Sequence, residues 1–168
     1  MLAVQSTTAG QSLASSRLVW ENGAATDLGN LGGTGHFGGI IALNINNRGQ
    51  VVANPDLPGD NAFHAFLWSR GKGMQDLGTL PGDLLGVGLS INDKSQVTGV
   101  SLDTSFNPRA YVWQNGVMTD LNTLIPADSP LFLLVACSIN SDGEIVGLAV
   151  DTSTGEAHGY LATPINNY

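Results

Sequence analysis

Positive charge is scarce in this chain: six Lys and Arg stand against 14 Asp and Glu among 168 residues, for a formal net charge of −8. A nucleic-acid backbone or an anionic bilayer would be repelled by such a surface, and no basic stripe offsets it. Solubility at neutral pH and tolerance of divalent cations follow from the same excess. Cysteine is nearly absent too. Cys137 is the single one, so no intramolecular disulfide forms, and its place in the apolar run Leu131–Cys137 predicts a small buried thiol rather than a reactive nucleophile. No apolar run approaches the roughly 18 residues of a membrane-spanning helix. The N-terminal stretch MLAVQSTTAGQSLASS has neither a basic n-region nor a hydrophobic h-region, so no signal peptide is expected in it. Sustained 3.6-residue periodicity is missing, which excludes long helices. Gly-x-Ser-x-Gly, the P-loop, His-Glu-x-x-His and Cys-x-x-Cys are all lacking.

What is present is apolar residues at 42%, 22 Gly, and frequent Asn, Thr and Ser. That mixture suits a folded chain of short strands joined by tight turns. Comparing the sequence with itself shows how those strands are arranged. Trp20, Trp68 and Trp113 recur at steps of 48 and 45 residues, and Ala162 takes the same place 49 residues further on. Ile45-Asn46, Ile91-Asn92 and Ile139-Asn140 keep a similar period, as do Asp27-Leu28, Asp76-Leu77 and Asp120-Leu121. Three markers in constant order define one repeat domain over residues 1–168, with units of approximately 1–39, 40–86, 87–130 and 131–168.

Each unit reads as four short strands, a to d. Strand a is Ala42–Asn46, Gly88–Asn92 or Ala136–Asn140, and strand b is Gln50–Ala53, Gln96–Val100 or Glu144–Leu148. The turns between them are built of Asn, Asp, Gly and Ser, which is hairpin chemistry. Strand c is the aromatic run around each Trp, and strand d is Ala25–Leu28, Met74–Leu77 or Met118–Leu121. Asn22-Gly23 and Asn115-Gly116 mark the c–d turns. Both faces of strand c are largely apolar, so it belongs between two layers. Strand a carries small residues (Ala42, Gly88, Ser90, Ala136, Ser138), as a strand crowded near an axis would. These features predict an all-β fold, a propeller-like array of about four blade-equivalents with three to four antiparallel strands each. The rival architecture is a β-trefoil, which also uses four-stranded units of this length. Residues 2–4 match the end of a strand b and the last aromatic run is a strand c, so the expected strand counts are three, four, four and three.

The motifs HAFLW, INxxGQVV and DLGTLPG resemble the HAF extracellular repeat, which occurs in tandem in bacterial proteins. The likeness covers nearly the whole chain, with residues 64–68 the best match and Arg109-Ala-Tyr and His158-Gly-Tyr looser copies. It implies a propeller-like array and an extracellular or periplasmic setting. It implies no activity.

Candidate chemistry concentrates at repeat positions. His64, Arg109 and His158 open strand c in three units. They either line one rim and meet an anionic or sugar ligand, or bond a neighbouring loop and order the junction between units. Asp27, Asp76 and Asp120 have the residue type for glycosidic acid/base work. Following a strand and preceding Leu, they read better as acceptors that close a turn. The b-to-c links hold Asp56, Asp60, Asp103, Asp151 and Glu156. Ca²⁺ is the one cofactor such oxygen-rich loops suggest, but EF-hand spacing is missing and a solvated acidic loop is the expectation. The tryptophans could stack on sugars, although repeat-matched aromatics on an apolar face read as core. His36, in a Gly-rich link, has no counterpart in the other units.

These readings lead to a non-catalytic extracytoplasmic repeat or scaffold module that binds a glycan or a protein. A second copy completing the blade array is a further expected partner. The alternative is a carbohydrate-active hydrolase or lyase with carboxylates and His64 or His158 at the propeller mouth, since such sites draw residues from several blades.

Overall fold

A computed structural model describes residues 2–6, 16–21, 23–28, 32–33, 42–59 and 61–165. Alternating apolar residues and turn chemistry yield strands throughout. They are β1 (Leu2–Ser6), β2 (Ser16–Glu21), β3 (Ala24–Asp27), β4 (Ala42–Ile45), β5 (Val51–Ala53), β6 (Ala65–Ser69) and β7 (Gly73–Gly78). Then come β8 (Leu85–Ile91), β9 (Val97–Leu102), β10 (Pro108–Gln114), β11 (Val117–Asp120), β12 (Leu131–Ile139), β13 (Ile145–Asp151) and β14 (Ala157–Ala162). No α-helix occurs among the described residues; the one helical turn is a 3₁₀ turn at Leu121–Thr123. The fold is all-β.

The strands form four sheets with sequential order: β1-β2-β3, β4-β5-β6-β7, β8-β9-β10-β11 and β12-β13-β14. Every pairing is antiparallel. Strand counts of three, four, four and three match the expected units. Among the described residues the strands make separate meanders rather than one closed barrel, which counts against the β-trefoil. Turn residues behave as their chemistry requires. Asn115 and Gly116 sit at φ of 53° and 87°, the primed geometry that matches strand twist.

Successive sheets lie face against face. β8 packs on β4, β5 and β6, and β12 packs on β8, β9 and β10. One core cluster between the second and third sheets includes Val52, Leu67, Leu77, Val97, Tyr111 and Trp113. A second, between the third and fourth, includes Ala110, Leu121, Leu133, Ile139 and Ile145. Leu28, just after β3, joins Val51, Phe66 and Trp68 on the other face of the second sheet. As expected, β6 and β10 are covered on both faces. β14 is not: its residues are exposed or half-buried. Small residues on strand a have a direct cause at Gly88, where a Cβ would lie 2.6 Å from Val52 Cγ1 and 3.0 Å from Ala65 Cβ.

Among the described residues, no layer covers the outer face of the fourth sheet. Val52 and Thr98 occupy one repeat position and are fully buried, whereas Val146, in the same place one unit on, is 45% exposed. Cys137 lies here and is exposed, contrary to expectation. Register shifts in β12 turn Ala136 and Ile139 onto the third sheet and leave Cys137 outside. An apolar run is a buried run only where a second layer covers both of its faces.

Asparagine links the units. Asn46 Oδ1 accepts from the backbone N–H of Arg48 and Gln50, Asn92 Oδ1 from Lys94 and Gln96, and Asn140 Oδ1 from Asp142 and Glu144, all at 2.9–3.0 Å. Each amide nitrogen donates to the residue four places on, at 2.6–2.7 Å. The remaining proton crosses to the next sheet: Asn46 Nδ2 donates to the Asn92 carbonyl and Asn92 Nδ2 to the Asn140 carbonyl, both at 2.9 Å. Among the described residues Asn140 has no such acceptor. Asn54 and Gly88 add a reciprocal pair, with Gly88 N–H donating to Asn54 Oδ1 at 2.7 Å and Asn54 Nδ2 to the Gly88 carbonyl at 3.3 Å.

Two predictions follow from this packing. Asn92→Ala should cost about 1 kcal/mol more than Asn140→Ala in urea unfolding, because only Asn92 also gives up a hydrogen bond to the next sheet, the one to the Asn140 carbonyl. Thr98 Oγ1 is buried without a hydrogen-bond partner, and Val52 fills the matching position. Thr98→Val should therefore raise stability by about 1–2 kcal/mol in the same assay.

Candidate functional site

At the start of strand c, two of the three repeat-matched bases meet the Asp at the end of strand d. His64 Nδ1 lies 3.0 and 3.1 Å from the Asp76 carboxylate oxygens. Arg109 Nη1 donates to Asp120 Oδ2 at 3.3 Å. Register explains both contacts: Phe66 pairs with Asp76 and Tyr111 with Asp120, which sets each Asp two residues from the base on the neighbouring strand. Arg109 also reaches back to the link before its own unit. Its Nη2 donates to Asp83 Oδ1 at 2.7 Å and to the Pro81 carbonyl at 3.1 Å, and its Nε to Asp83 Oδ2 at 3.3 Å. The Asp83 side chain is 2% exposed, and its hydrogen bond holds the guanidinium above its ordinary pKa. His158 is exposed and acts electrostatically on Asp151 instead, no strand d lying beside β14 among the described residues.

The turn-closing role of the repeat Asp is seen in two copies. Asp76 Oδ1 accepts from Gly78 N–H at 2.8 Å, and Asp120 Oδ1 accepts from Asn122 N–H at 2.9 Å. Asp27 has no described side chain. His64 with Asp76 is half of a base-and-orienter pair, yet no hydroxyl or thiol completes it among the described hydrogen bonds.

The b-to-c links are self-contained turns. Asp103 Oδ1 accepts from Ser105 and Asn107 N–H at 2.7 and 2.9 Å, while Asn107 Nδ2 donates to Asp103 Oδ2 at 2.8 Å. Asp151 Oδ1 accepts from Ser153 N–H at 2.8 Å and from its hydroxyl at 2.6 Å. The side-chain bonds of Asn107 and Ser153 come first in holding Asp103 and Asp151 below the usual carboxylate range. Asp56 departs from the solvated-loop expectation, being 5% exposed. Its link doubles back through Leu57 N–H to the Ala62 carbonyl, and a Cβ on Gly33 would meet Asp56 at 2.5 Å. Asp60 and His36 lie outside the described residues. No group of three or more His, Cys, Asp and Glu is placed to hold a metal among those described.

Trp68 and Trp113 are 7% and 5% exposed, so they belong to the core and offer no stacking surface. The side chain of Trp20 is not described. Two clefts stand out among the described residues, neither expected from the sequence. One, of about 490 Å³, opens between the second and third sheets with Arg48, Gln50, Arg70, Lys72, Gln75 and Asn115 at its wall. It gathers half of the six cations in the chain. The other, of about 560 Å³, is apolar and lies between the third and fourth sheets, walled by Val112, Leu124, Ile125, Leu131, Tyr160 and Ala162.

The apolar cleft exists because one unit departs from the others. Trp113 and Met118, paired across β10 and β11, fill the corresponding space between the second and third sheets. In the fourth sheet Ala162 stands where Trp113 does, and nothing described stands where Met118 does. The replacement of Trp by Ala in the fourth unit was the visible signal for this gap. No protein-family model matches the chain, and no curated protein is detectably similar to it.

The two bases differ in how much structure depends on them. Arg109→Ala leaves the buried Asp83 without a cation and should cost about 3 kcal/mol in denaturant unfolding. His64→Ala removes a more exposed pair and should cost less than about 1 kcal/mol.

Proposed function

We propose that the chain is a non-catalytic repeat module of the HAF type that binds a protein partner in an extracytoplasmic setting, its sheets arranged as the blades of a propeller-like array. The observation that carries the non-catalytic reading is where the charged repeat residues go. Arg109, Asp76, Asp103, Asp120 and Asp151 close turns or tie strands together, which leaves no such pair of carboxylates free to face a common space among the described residues. The radial reading rests on the constant strand order within sheets, the crowded strand a, and the asparagine bonds that advance one unit at a time. The extracytoplasmic setting and the HAF assignment rest on the motifs HAFLW, INxxGQVV and DLGTLPG.

A protein is favoured over a glycan because the larger cleft is apolar and the described tryptophans are enclosed. Sugar-binding sites ordinarily present an exposed aromatic face. A second reading, an anionic glycan, is favoured by the clustering of Arg48, Arg70 and Lys72 in a protein of net charge −8. Incubation with polysaccharide and ester substrates should release no product even at high protein concentration. Turnover abolished by one loop substitution would replace this reading with the carbohydrate-active alternative. In a binding screen with uronate and sulfated oligosaccharides, saturable binding lost in Arg48→Ala would select the glycan.

A further inference from the structure

We propose that the polar cleft between the second and third sheets seats an acidic segment of the protein partner, a pair of carboxylates on an extended stretch, through Arg48, Gln50 and Lys72. This deepens the protein-binding reading above and rests on it. Three features of the second unit converge on the cleft.

The first is charge. The cleft of about 490 Å³ is lined by Arg48, Arg70 and Lys72 and by no Asp or Glu, in a chain where acidic residues outnumber Lys and Arg by 14 to six. Two of those cations come from a turn that differs from its counterparts. The c–d turns of the first and third units are Asn22-Gly23 and Asn115-Gly116, whereas β6 and β7 are joined by Arg70-Gly71-Lys72, one residue longer. Lys72 N–H closes this turn on the Ser69 carbonyl at 3.2 Å, with Gly71 at a φ of 83°. Arg70 and Lys72 therefore belong to this unit and not to the repeat.

The second feature is an amide with donors to spare. Gln50 Oε1 accepts from Asn46 Nδ2 and from the Ser95 hydroxyl, both at 2.7 Å, which fixes the way the amide lies. In the third unit the matching Gln96 Nε2 donates to Gln114 at 3.2 Å. Ser69 stands where Gln114 does, and the Gln50 nitrogen has no acceptor among the described residues. Gln50 lines the cleft, so its amide protons serve what enters there.

The third is the hold on Arg48. Its Nη1 donates across the interface to the Asp93 carbonyl at 3.3 Å and to the Ser95 hydroxyl at 3.5 Å. One corner of the guanidinium is tied, and the remaining N–H groups form the planar edge that suits a carboxylate. Asp93 also attracts Arg48 through its charge, but both of its carboxylate oxygens are bonded by Asn47.

Spacing sets the pattern of the occupant. Arg48 lies in the a–b turn and Lys72 in the c–d turn of one sheet, two strand spacings or about 10 Å apart. Residues two or three positions apart on an extended chain are separated by about 7–10 Å. An acidic-x-acidic or acidic-x-x-acidic segment therefore reaches both. A sugar fits less well, because Trp113 in the cleft wall is 5% exposed and offers no stacking face. A long polyanion would also meet repulsion from the rest of a surface of net charge −8.

The probe is a blocked peptide, SESES, titrated at low salt into the 168-residue chain and followed by two-dimensional NMR of backbone and side-chain amides. Saturable shifts are expected at the Gln50 side-chain amide and at the Arg48 and Lys72 N–H groups, with none from the neutral peptide SQSQS. Arg48→Gln and Lys72→Gln should each weaken binding about fivefold. Lys94→Gln removes the same charge from a turn outside the cleft wall and should leave binding unchanged. Gln50→Glu should abolish it. That variant keeps the acceptor, since Glu144 holds the matching place and accepts from Asn140 at 2.7 Å, and circular dichroism checks that each variant is folded. Equal response to SQSQS would overturn the proposal, as would equal weakening by Lys94→Gln, shifts confined to other residues, or no binding at millimolar peptide. Tighter binding of a uronate oligosaccharide at the same three residues would overturn it too, giving the cleft to the anionic glycan. Failure here is separable from failure of the non-catalytic reading: substrate turnover would end that reading without altering the titration, and an unresponsive cleft would leave the absence of turnover standing.

Discussion

The side-chain amide of one asparagine per unit is the constraint on which the rest of the architecture depends. It does two jobs at once. Its oxygen closes the a–b turn on two backbone N–H groups, and its nitrogen reaches the carbonyl of the equivalent asparagine in the next sheet. Turn geometry and the stacking of sheets are therefore set by the same three hydrogen bonds. Around it the hairpin tips stack in the same register: Asn47 donates to the Asp93 carboxylate at 2.7 and 2.8 Å, and Ser95 donates to Gln50 at 2.7 Å. Asn47 comes first in holding Asp93 below the usual carboxylate range. Buried polar groups stabilise only when satisfied, and here each unit satisfies the one before it. A repeat fold built in this way keeps its spacing because a displaced sheet would orphan several groups together.

Apolar contacts supply the bulk of the driving force between the polar tips. The second and third sheets each contribute one face to the interface behind and the other to the interface ahead. The aromatic of strand c fits against the residue paired with it on strand b. Phe66 pairs with Ala53, whereas Tyr111 and Tyr160 pair with Gly99 and Gly147. The two tyrosine hydroxyls donate to the carbonyls of Val87 and Val135 at 3.0 and 3.1 Å. A Cβ on Gly99 would lie 3.0 Å from the Tyr111 hydroxyl and 1.8 Å from the Val87 oxygen. Glycine thus accompanies tyrosine because the hydroxyl must reach over strand b to a carbonyl of strand a. Burial raises the Tyr111 hydroxyl well beyond its ordinary pKa and that of Tyr160, which is half-buried, to about 12. Both remain neutral donors at any physiological pH.

Regularity also explains why the candidate chemistry dissolves into structure in the inner sheets and survives at the fourth. His64 and Arg109 are bonded to the Asp of their own strand d, and Trp68 and Trp113 are buried. Where no strand d is described, the same positions present an exposed His158 near Asp151, an Ala and an apolar cleft.

Much of the fold was legible in the residues. The recurring Trp, Ile-Asn and Asp-Leu markers determined the unit length, the strand order and the three-four-four-three pattern, because period and turn chemistry are local properties of the chain. The turn-closing role of Asp76 and Asp120 was legible for the same reason: acceptor and donor lie two residues apart. What tertiary structure alone decided concerns groups far apart in sequence. That Cys137 is exposed follows from the fourth sheet's bare face, that Asp56 is buried follows from a link folding back near Gly33, and that Arg109 is tied to Asp83 follows from a contact across 26 residues. The two clefts belong to the same class. A periodic sequence states which residues are equivalent; which of them are covered depends on whether a neighbouring layer is there to cover them.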